Sequence, residues 1–272
     1  MDCFRRVSDE SIDLVFADPP YNIGKDFGHT QDKFDGEVYL QWMKLWISEI
    51  HRVLKPSGSA YIMNSTQNFA HMDLFAREKF FIISRIVWSY DSSGVQAKSK
   101  FGSMWEPILH MAKNESEYVF NAKDIEVEAK TGSQRQLIDY RKTPPQPYNT
   151  KKVPGNVWDF PRVRFRMDEY ENHPTQKPLS LLERIVRASS NPGDLVLDPF
   201  SGSFSTGEAC RRLGRRFIGF EINHDYVKIG LRRLSVPSHY SEDELAKEKV
   251  RKTNNKSKKD HIAAQHKPTL FD

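Results

Sequence analysis

The sequence predicts an α/β fold, a mostly parallel sheet with helices on both faces, and three observations carry that expectation. Short apolar runs alternate with stretches of helical apolar spacing, the order of parallel strands with covering helices. Two of the runs end in turn-forming segments, at 18–21 and 198–207, that are dense in chemically active side chains. Between the α/β halves lies an irregular, proline-containing, basic stretch at 122–171.

The chain of 272 residues is long enough for one sizeable α/β domain plus an insertion. Apolar residues make up 38% and aromatics 12%, which suffices for a packed core and argues against wholesale disorder. The net charge of +5 is a weak pointer to a polyanion, so the distribution of charge matters more than the total. The two cysteines, Cys3 and Cys210, are far apart and in no ligand spacing. Neither a disulfide framework nor a metal site is expected, and a reducing cytoplasm is. No apolar run approaches the ~20 residues of a membrane span, and no signal peptide is evident, so a soluble cytoplasmic protein is expected.

Ser11–Ala17 is an apolar run stopped by Asp18-Pro19-Pro20; two prolines cannot continue a central strand, so a buried strand ends there in a stiff extended turn. Residues 37–54 place Met43, Trp46, Ile47, Ile50, Val53 and Leu54 at helical spacing, and Lys55-Pro56-Ser57-Gly58 ends that helix. Ser59–Asn64 reads as a strand, 68–78 as a short helix, and Phe80–Tyr90 and Pro107–Ala112 as two further strands. From 122 to 171 helical periodicity fades. Prolines and basic residues gather there, Arg135, Arg141, Lys142, Lys151, Lys152, Arg162, Arg164 and Arg166 among them. Then the rhythm resumes: a helix over Pro178–Arg187, a strand over Leu195–Leu197, a loop Asp198–Ser205 and a helix to about Arg212. A strand Arg216–Glu221 and a helix Asp225–Leu234 follow. The division expected is a discontinuous catalytic domain, 1–121 and 172–235, an insertion 122–171, and a basic, largely flexible tail 236–272. A short helix in that tail is opened by the capping pair Ser241 and Glu244.

The loop from Asp198 to Gly207 sits where parallel strands bind ligands, at a carboxyl end. Glycine allows close backbone approach, and Glu221 ends the next strand, placed for the two hydroxyls of a ribose. Gly207 is followed by Glu208, so no P-loop lysine is present, and no Gly-x-Gly-x-x-Gly exists for a dinucleotide. S-adenosylmethionine, with no phosphate to hold, suits the loop; an ordinary tight turn is the bland alternative. Asp18-Pro19-Pro20-Tyr21 lies at another strand's carboxyl end, on the same rim by fold logic. An exocyclic base amine is a poor nucleophile because its lone pair is delocalised. A carboxylate from Asp18 and the carbonyl of Pro19, accepting its two N–H groups, would favour a pyramidal nitrogen. Pro20 stiffens the turn, and Tyr21 would stack on a base rotated out of the duplex. Neither cysteine is set up as the nucleophile that cytosine-C5 transfer needs.

With both motifs placed, the chain resembles the β-group of DNA amino-methyltransferases, in which the Asp-Pro-Pro-Tyr segment precedes the target-recognition region and the cofactor loop. His173-Pro174-Thr175-Gln176-Lys177-Pro178 is a hallmark of that group. The resemblance covers nearly the whole chain. It implies a Rossmann-like S-adenosylmethionine-dependent methyltransferase fold with an antiparallel hairpin at one sheet edge and circularly permuted motif order. It also implies cofactor contacts from Asp2, Asp18, His173, Thr175, Lys177, Asp198, Phe200, Gly202, Ser203, Thr206, Glu221 and Asn223. His173, Thr175 and Lys177 are implied at the methionine end. Almost nothing precedes Asp2, which implies a shortened strand there. YNIGK at 21–25, WSYDSSG at 88–94, AKTGSQR at 129–135 and VPGNVWDFPR at 153–162 resemble the solitary enterobacterial adenine methyltransferases, which implies ATGCAT as target. Adenine N6 in double-stranded DNA is thus the expected acceptor, S-adenosylmethionine the cofactor with no metal, and a monomer or homodimer without an obligate protein partner the active unit. A cytosine-N4 enzyme, or a DNA-binding regulator with impaired catalysis, is the alternative. Phe204 stands where the group usually has glycine, so its ring either packs beside the cofactor or weakens its binding. The basic residues of the insertion are expected at DNA, against the bland reading of a solvated face. Glu106 is left without a role beyond a strand-edge charge.

Overall fold

The computed structural model describes residues 2–27, 32–91, 98–99, 101–130 and 137–235. Arg135, the Lys-rich tail and its capping pair lie outside the described residues.

Strand β1 (Ile12–Ala17) is almost wholly buried and stops at the two prolines. Helix α1 (Gly36–Val53) starts at Asp35, whose carboxylate accepts from the amides of Glu37 and Val38. It buries one face through Tyr39, Trp42, Met43, Trp46, Ile47, Ile50 and Val53. Leu54 is already extended, so β2 (Leu54–Met63) follows without the expected intervening turn. Lys55 to Gly58 instead form an irregularity where the register with β1 shifts, from Ile12 opposite Leu54 to Leu14 opposite Ser59. Helix α2 (Phe69–Arg77), β3 (Phe81–Ser89) and β4 (Trp105–Ala112) come next. The basic stretch contributes two small ribbons, β5 (Val127–Glu128) with β8 (Lys151–Lys152), and β6 (Ile138–Asp139) with β7 (Gln146–Pro147). It also supplies β9 (Val157–Asp159), which pairs parallel with β3 and so extends the main sheet. Helix α3 (Leu179–Ser189), β10 (Leu195–Asp198), α4 (Ser205–Leu213), β11 (Arg216–Gly219) and α5 (His224–Arg233) follow among the described residues.

The seven-stranded sheet has the order β11-β10-β1-β2-β4-β3-β9. Strands β11, β10, β1 and β2 are mutually parallel; β4 is antiparallel to β2 and β3, as the expected hairpin requires. Two consequences decide where chemistry can occur. From β1 the chain moves to β2 on one side, whereas from β10 it moves to β11 on the other, so the crevice between β1 and β10 is the topological switch point. Because β4 alone runs backwards, its amino end lies on the rim where every other strand has its carboxyl end. One core lies between the sheet and α1, through Ile12, Val15, Ala17, Trp46 and Ile50; the second lies under α3 and α4, through Leu14, Phe16, Leu182 and Ile185. Among the described residues no helix is long and apolar enough to cross a membrane.

Candidate active site

Asp18 leaves β1 beside the Asp198 loop leaving β10, with Val15 opposite Leu197 in the ladder between them. Both expected motifs therefore flank the switch-point crevice. The Asp18–Tyr21 turn is fixed from beneath: the Tyr39 hydroxyl donates to the Pro20 carbonyl at 2.8 Å, and the Asn68 amide donates to the Tyr21 carbonyl at 2.7 Å. Asn22 adopts a positive φ of 58°, and its side chain accepts from the amide of Phe34 and donates to its carbonyl. The carboxylate of Asp32, itself buried, accepts from the amides of Ile23 and Lys25.

Around Asp18 the structure gathers groups that the sequence keeps far apart. The Tyr21 hydroxyl donates to Asp18 Oδ1 at 2.6 Å and lies 3.1 Å from Glu106 Oε2. Lys177 Nζ is 2.6 Å from Asp18 Oδ2 and 3.6 Å from Glu106 Oε2. The Tyr90 hydroxyl donates to Glu106 Oε1 at 3.3 Å. Burial pushes the Asp18 carboxyl up and the Lys177 ammonium pulls it back, while burial and the two carboxylates push the Tyr21 phenol well up. Burial works against the Lys177 ammonium, but Asp18 and Glu106 outweigh it and raise its pKa. Glu106 is thus no mere strand-edge charge. The signal that could have found it is the reversed direction of β4, which residue patterns do not report. Lys177, implied at the methionine end, reaches the Asp18 carboxylate.

The second half of the site centres on Gly202 and Glu221. Gly202 has a φ of +49°, and a Cβ there would stand 2.8 Å from His173 Nε2. The Gly202 amide donates to Glu221 Oε2 at 2.8 Å, and the Asn223 amide donates to Oε1 at 2.7 Å. Burial raises the Glu221 carboxyl. A carboxylate has about four lone-pair sites, so these amide bonds leave acceptor capacity for hydroxyl donors such as those of a ribose. His173 packs edge-on against Tyr226, with ring centroids 4.4 Å apart, and donates no charge: burial lowers it to about 4. Its Nδ1 accepts from the Thr175 amide at 3.3 Å. Tyr226 and Asn223 both donate to the Phe27 carbonyl, which draws the segment after the Asp18–Tyr21 turn over this side. An open pocket of about 490 Å³ lies here, lined by Phe27, His173, Asn223 and Tyr226 among others. Asp2 is exposed and 3.4 Å from Arg5; Phe4 packs against Phe220, which brings the N-terminal segment beside Glu221.

Other expected cofactor residues make contacts within the loop and to neighbouring helices. The Phe200 ring meets Trp42 and Trp46, each at 5.6 Å, and the Ser203 carbonyl accepts from Arg233. Thr206 donates to Asp198 Oδ2 at 2.6 Å, and the Phe200 amide donates to Oδ1 at 3.0 Å. Phe204 takes a left-handed φ of 58° and lays its ring on Gly230, where a Cβ would be 2.3 Å from the ring. The ring therefore fills the space between α4 and α5. Glycine at 230 makes room for the side chain at 204.

Burial pushes the Asp198 carboxyl from 3.8 up to about 7. The folded state thus holds this proton more tightly than the unfolded chain. The resulting stability is fully present below pH 3.8 and is lost as pH rises through about 7. The Tm of the cofactor-free protein is expected to fall across that window. In Asp198→Asn, whose amide keeps both hydrogen-bond partners, the slope should flatten; an unchanged Tm profile would refute the assignment.

Of the basic residues, Arg162 is half-buried and stacks over the Tyr90 ring at 5.0 Å, next to the Asp18 cluster. Arg164 donates to the Asp91 carbonyl, and the Arg166 guanidinium lies 5.8 Å from the Phe165 ring. Arg162 and Arg164 line a pocket of about 360 Å³ on that side. Lys151 and Lys152 on β8 are exposed, and so is Lys142 in the turn after β6, whereas Arg141 is tied to Asp139 at 2.8 Å. Among the described residues no cluster of three or more metal-ligating side chains occurs.

Residues 12–232 match the DNA methylase family of N6 and N4 methyltransferases. The chain is 63% identical over 259 residues to the DNA adenine methyltransferase YhdJ of Escherichia coli K12, covering 95% of this chain and 88% of that protein. It is 34% identical to the type II methyltransferase M.HpaI of Haemophilus parainfluenzae, covering 85% and 70%. Among solved structures, the M1.HpyAVI complex with S-adenosylmethionine aligns with a TM-score of 0.56 at 26% identity, covering 82% of this chain and 90% of that one. The cytosine-N4-specific PvuII DNA methyltransferase shares the fold, with a TM-score of 0.63 at 20% identity, covering 90% and 86%.

Proposed function

The chain belongs to the DNA methylase family of N6 and N4 methyltransferases, and on that premise we propose how its residues methylate adenine N6. It is an adenine-specific DNA methyltransferase that uses S-adenosylmethionine. The observation that carries the mechanism is the placement of Asp18 and Gly202 on the two sides of one switch-point crevice.

When bound, the cofactor supplies an electrophilic methyl on a sulfonium. Glu221 would accept the ribose hydroxyls, and Gly202, with the neutral His173 ring beside it, would let the backbone approach the cofactor. Asp18 and the Pro19 carbonyl accept the two N–H groups of the target amine, which localises the nitrogen lone pair for direct in-line attack. The prolines hold that turn, and Tyr39 and Asn68 anchor the carbonyls of Pro20 and Tyr21. No covalent enzyme intermediate is needed; the Cys210 thiol is buried and pushed up to about 12, unsuited to nucleophilic work. Double-stranded DNA as the form methylated, a cytoplasmic setting, and one chain or a homodimer as the active unit belong to the same proposal, as does ATGCAT as target.

Incubation with labelled cofactor and DNA, followed by digestion to nucleosides, should place the label in N6-methyladenine; label in N4-methylcytosine would refute the reading. Single-molecule sequencing of DNA from expressing cells reads the target directly, and methylation confined to another motif would discard ATGCAT. Among the described basic residues, Arg162 lies over the Tyr90 ring beside the catalytic cluster and shares a pocket with Arg164, and the two are proposed to meet phosphates near a flipped base. Replacing both by alanine should weaken DNA binding and reduce the slope of log affinity against log salt by about 1 per lost phosphate contact. Equal slopes would remove them from the DNA footprint.

A further inference from the structure

Glu106 reaches the site from β4, and the cluster it joins holds one ammonium between two carboxylates. The charged and titratable groups around it come from every neighbouring element. Asp18 and Tyr21 follow β1, Tyr90 follows β3, Lys177 precedes α3, Arg162 follows β9 over the Tyr90 ring, and Asp198 ends β10 across the crevice. Lys177 is buried, with its ammonium near the rings of Tyr21 and Trp88. Its Nζ sits on Asp18 Oδ2, while Oδ1 is taken by the Tyr21 hydroxyl. An amine is therefore already in place on the oxygen that the target amine must approach. A buried ammonium cannot simply be released from its anion, because leaving it unpaired in the interior is strongly unfavourable. Glu106 Oε2, at 3.6 Å, is already within ion-pairing range of the same nitrogen.

We propose that Lys177 is an internal stand-in for the target amine, and that Glu106 is the positioning residue that receives Lys177 when the base engages Asp18. The inference rests on the assignment of Asp18 as acceptor of the adenine amine. The exchange moves an ammonium between two carboxylates already beside it, so the cluster's net charge stays constant and no new charge is buried. Tyr21 and Tyr90, hydrogen-bonded to Glu106 in the resting state, hold its carboxylate where the ammonium can reach it.

A double-mutant cycle on the full chain tests this with Glu106→Gln, Lys177→Met and both together, at saturating S-adenosylmethionine and on a duplex carrying the target. With Lys177 present, Glu106→Gln should lower kcat/KM for DNA by roughly tenfold or more; with Lys177→Met in place the same change should cost less than about threefold. The acid limb of the kcat/KM profile should move to lower pH in Glu106→Gln, where Asp18 loses a neighbouring negative charge. In Lys177→Met it should move to higher pH, where Asp18 loses its ion-pair partner. Glu106→Asp, which keeps the charge on a shorter stem, should recover part of the rate and the wild-type limb; it also serves if Glu106→Gln does not fold. Equal losses with and without Lys177, or an acid limb that stays put in both single variants, would overturn the role of Glu106. A wild-type protein that methylates no adenine would defeat the underlying reading instead, so the two failures are distinguishable.

Discussion

Asp18→Ala is expected to stop methyl transfer while leaving S-adenosylmethionine affinity within about threefold of wild type, since the Gly202–Glu221 half of the site lies on a different strand pair. The loss in kcat should reach about 10³-fold or more, on the order of 4 kcal/mol of transition-state stabilisation. Positive charge develops on the amine nitrogen during attack, and in the proposed mechanism Asp18 is the carboxylate that meets it. Removal also releases Lys177 onto Glu106 and leaves the Tyr21 hydroxyl with Glu106 alone, so no nearby group substitutes for the lost acceptor. Single-turnover counting of transferred label measures the first quantity and calorimetry the second. Residual turnover within tenfold of wild type would exclude Asp18 as the acceptor.

Gly202→Val should act on the other ligand, weakening S-adenosylmethionine binding by roughly 100-fold or more, with Gly202→Ala intermediate. Two effects add. The backbone φ of +49° disfavours any side chain and β-branched ones most, and the new Cβ would stand 2.8 Å from His173 Nε2 and 3.0 Å from its Cε1. The His173 ring cannot retreat freely, because Tyr226 lies edge-on behind it and Phe27 flanks it at 6.3 Å. A Cβ at Gly155 would meet nothing within 4 Å, so Gly155→Ala serves as the control and should bind normally. Combining Gly202→Ala with His173→Ala should recover part of the loss if crowding dominates, and none if backbone strain does. Wild-type cofactor affinity in Gly202→Val would remove this loop from the cofactor site.

Local chemistry made much of this molecule legible from the chain alone. The apolar runs, the helix over 37–54 and the stop at Pro19-Pro20 depend on side chains only a few positions apart, and the strands and helices read from 11 to 112 and from 178 to 234 recur in the structure, with β2 starting at Leu54 rather than Ser59. Asp18–Tyr21 and the Asp198 loop could be assigned to one rim because parallel strands share their carboxyl ends, whatever packs between them. Tertiary structure alone decided the rest, since it depends on groups brought together from distant positions. Glu106 joins the site because β4 runs against its neighbours. Lys177 lands on Asp18 from 159 positions away, and Val157–Asp159 of the basic stretch closes the edge of the main sheet. Phe204 could stand in the loop after β10 because Gly230, on a later helix, leaves a hollow for its ring. Propensity and periodicity report on neighbours along the chain, whereas an ion pair or a filled hollow is a property of space, set only once strand direction and helix packing are fixed.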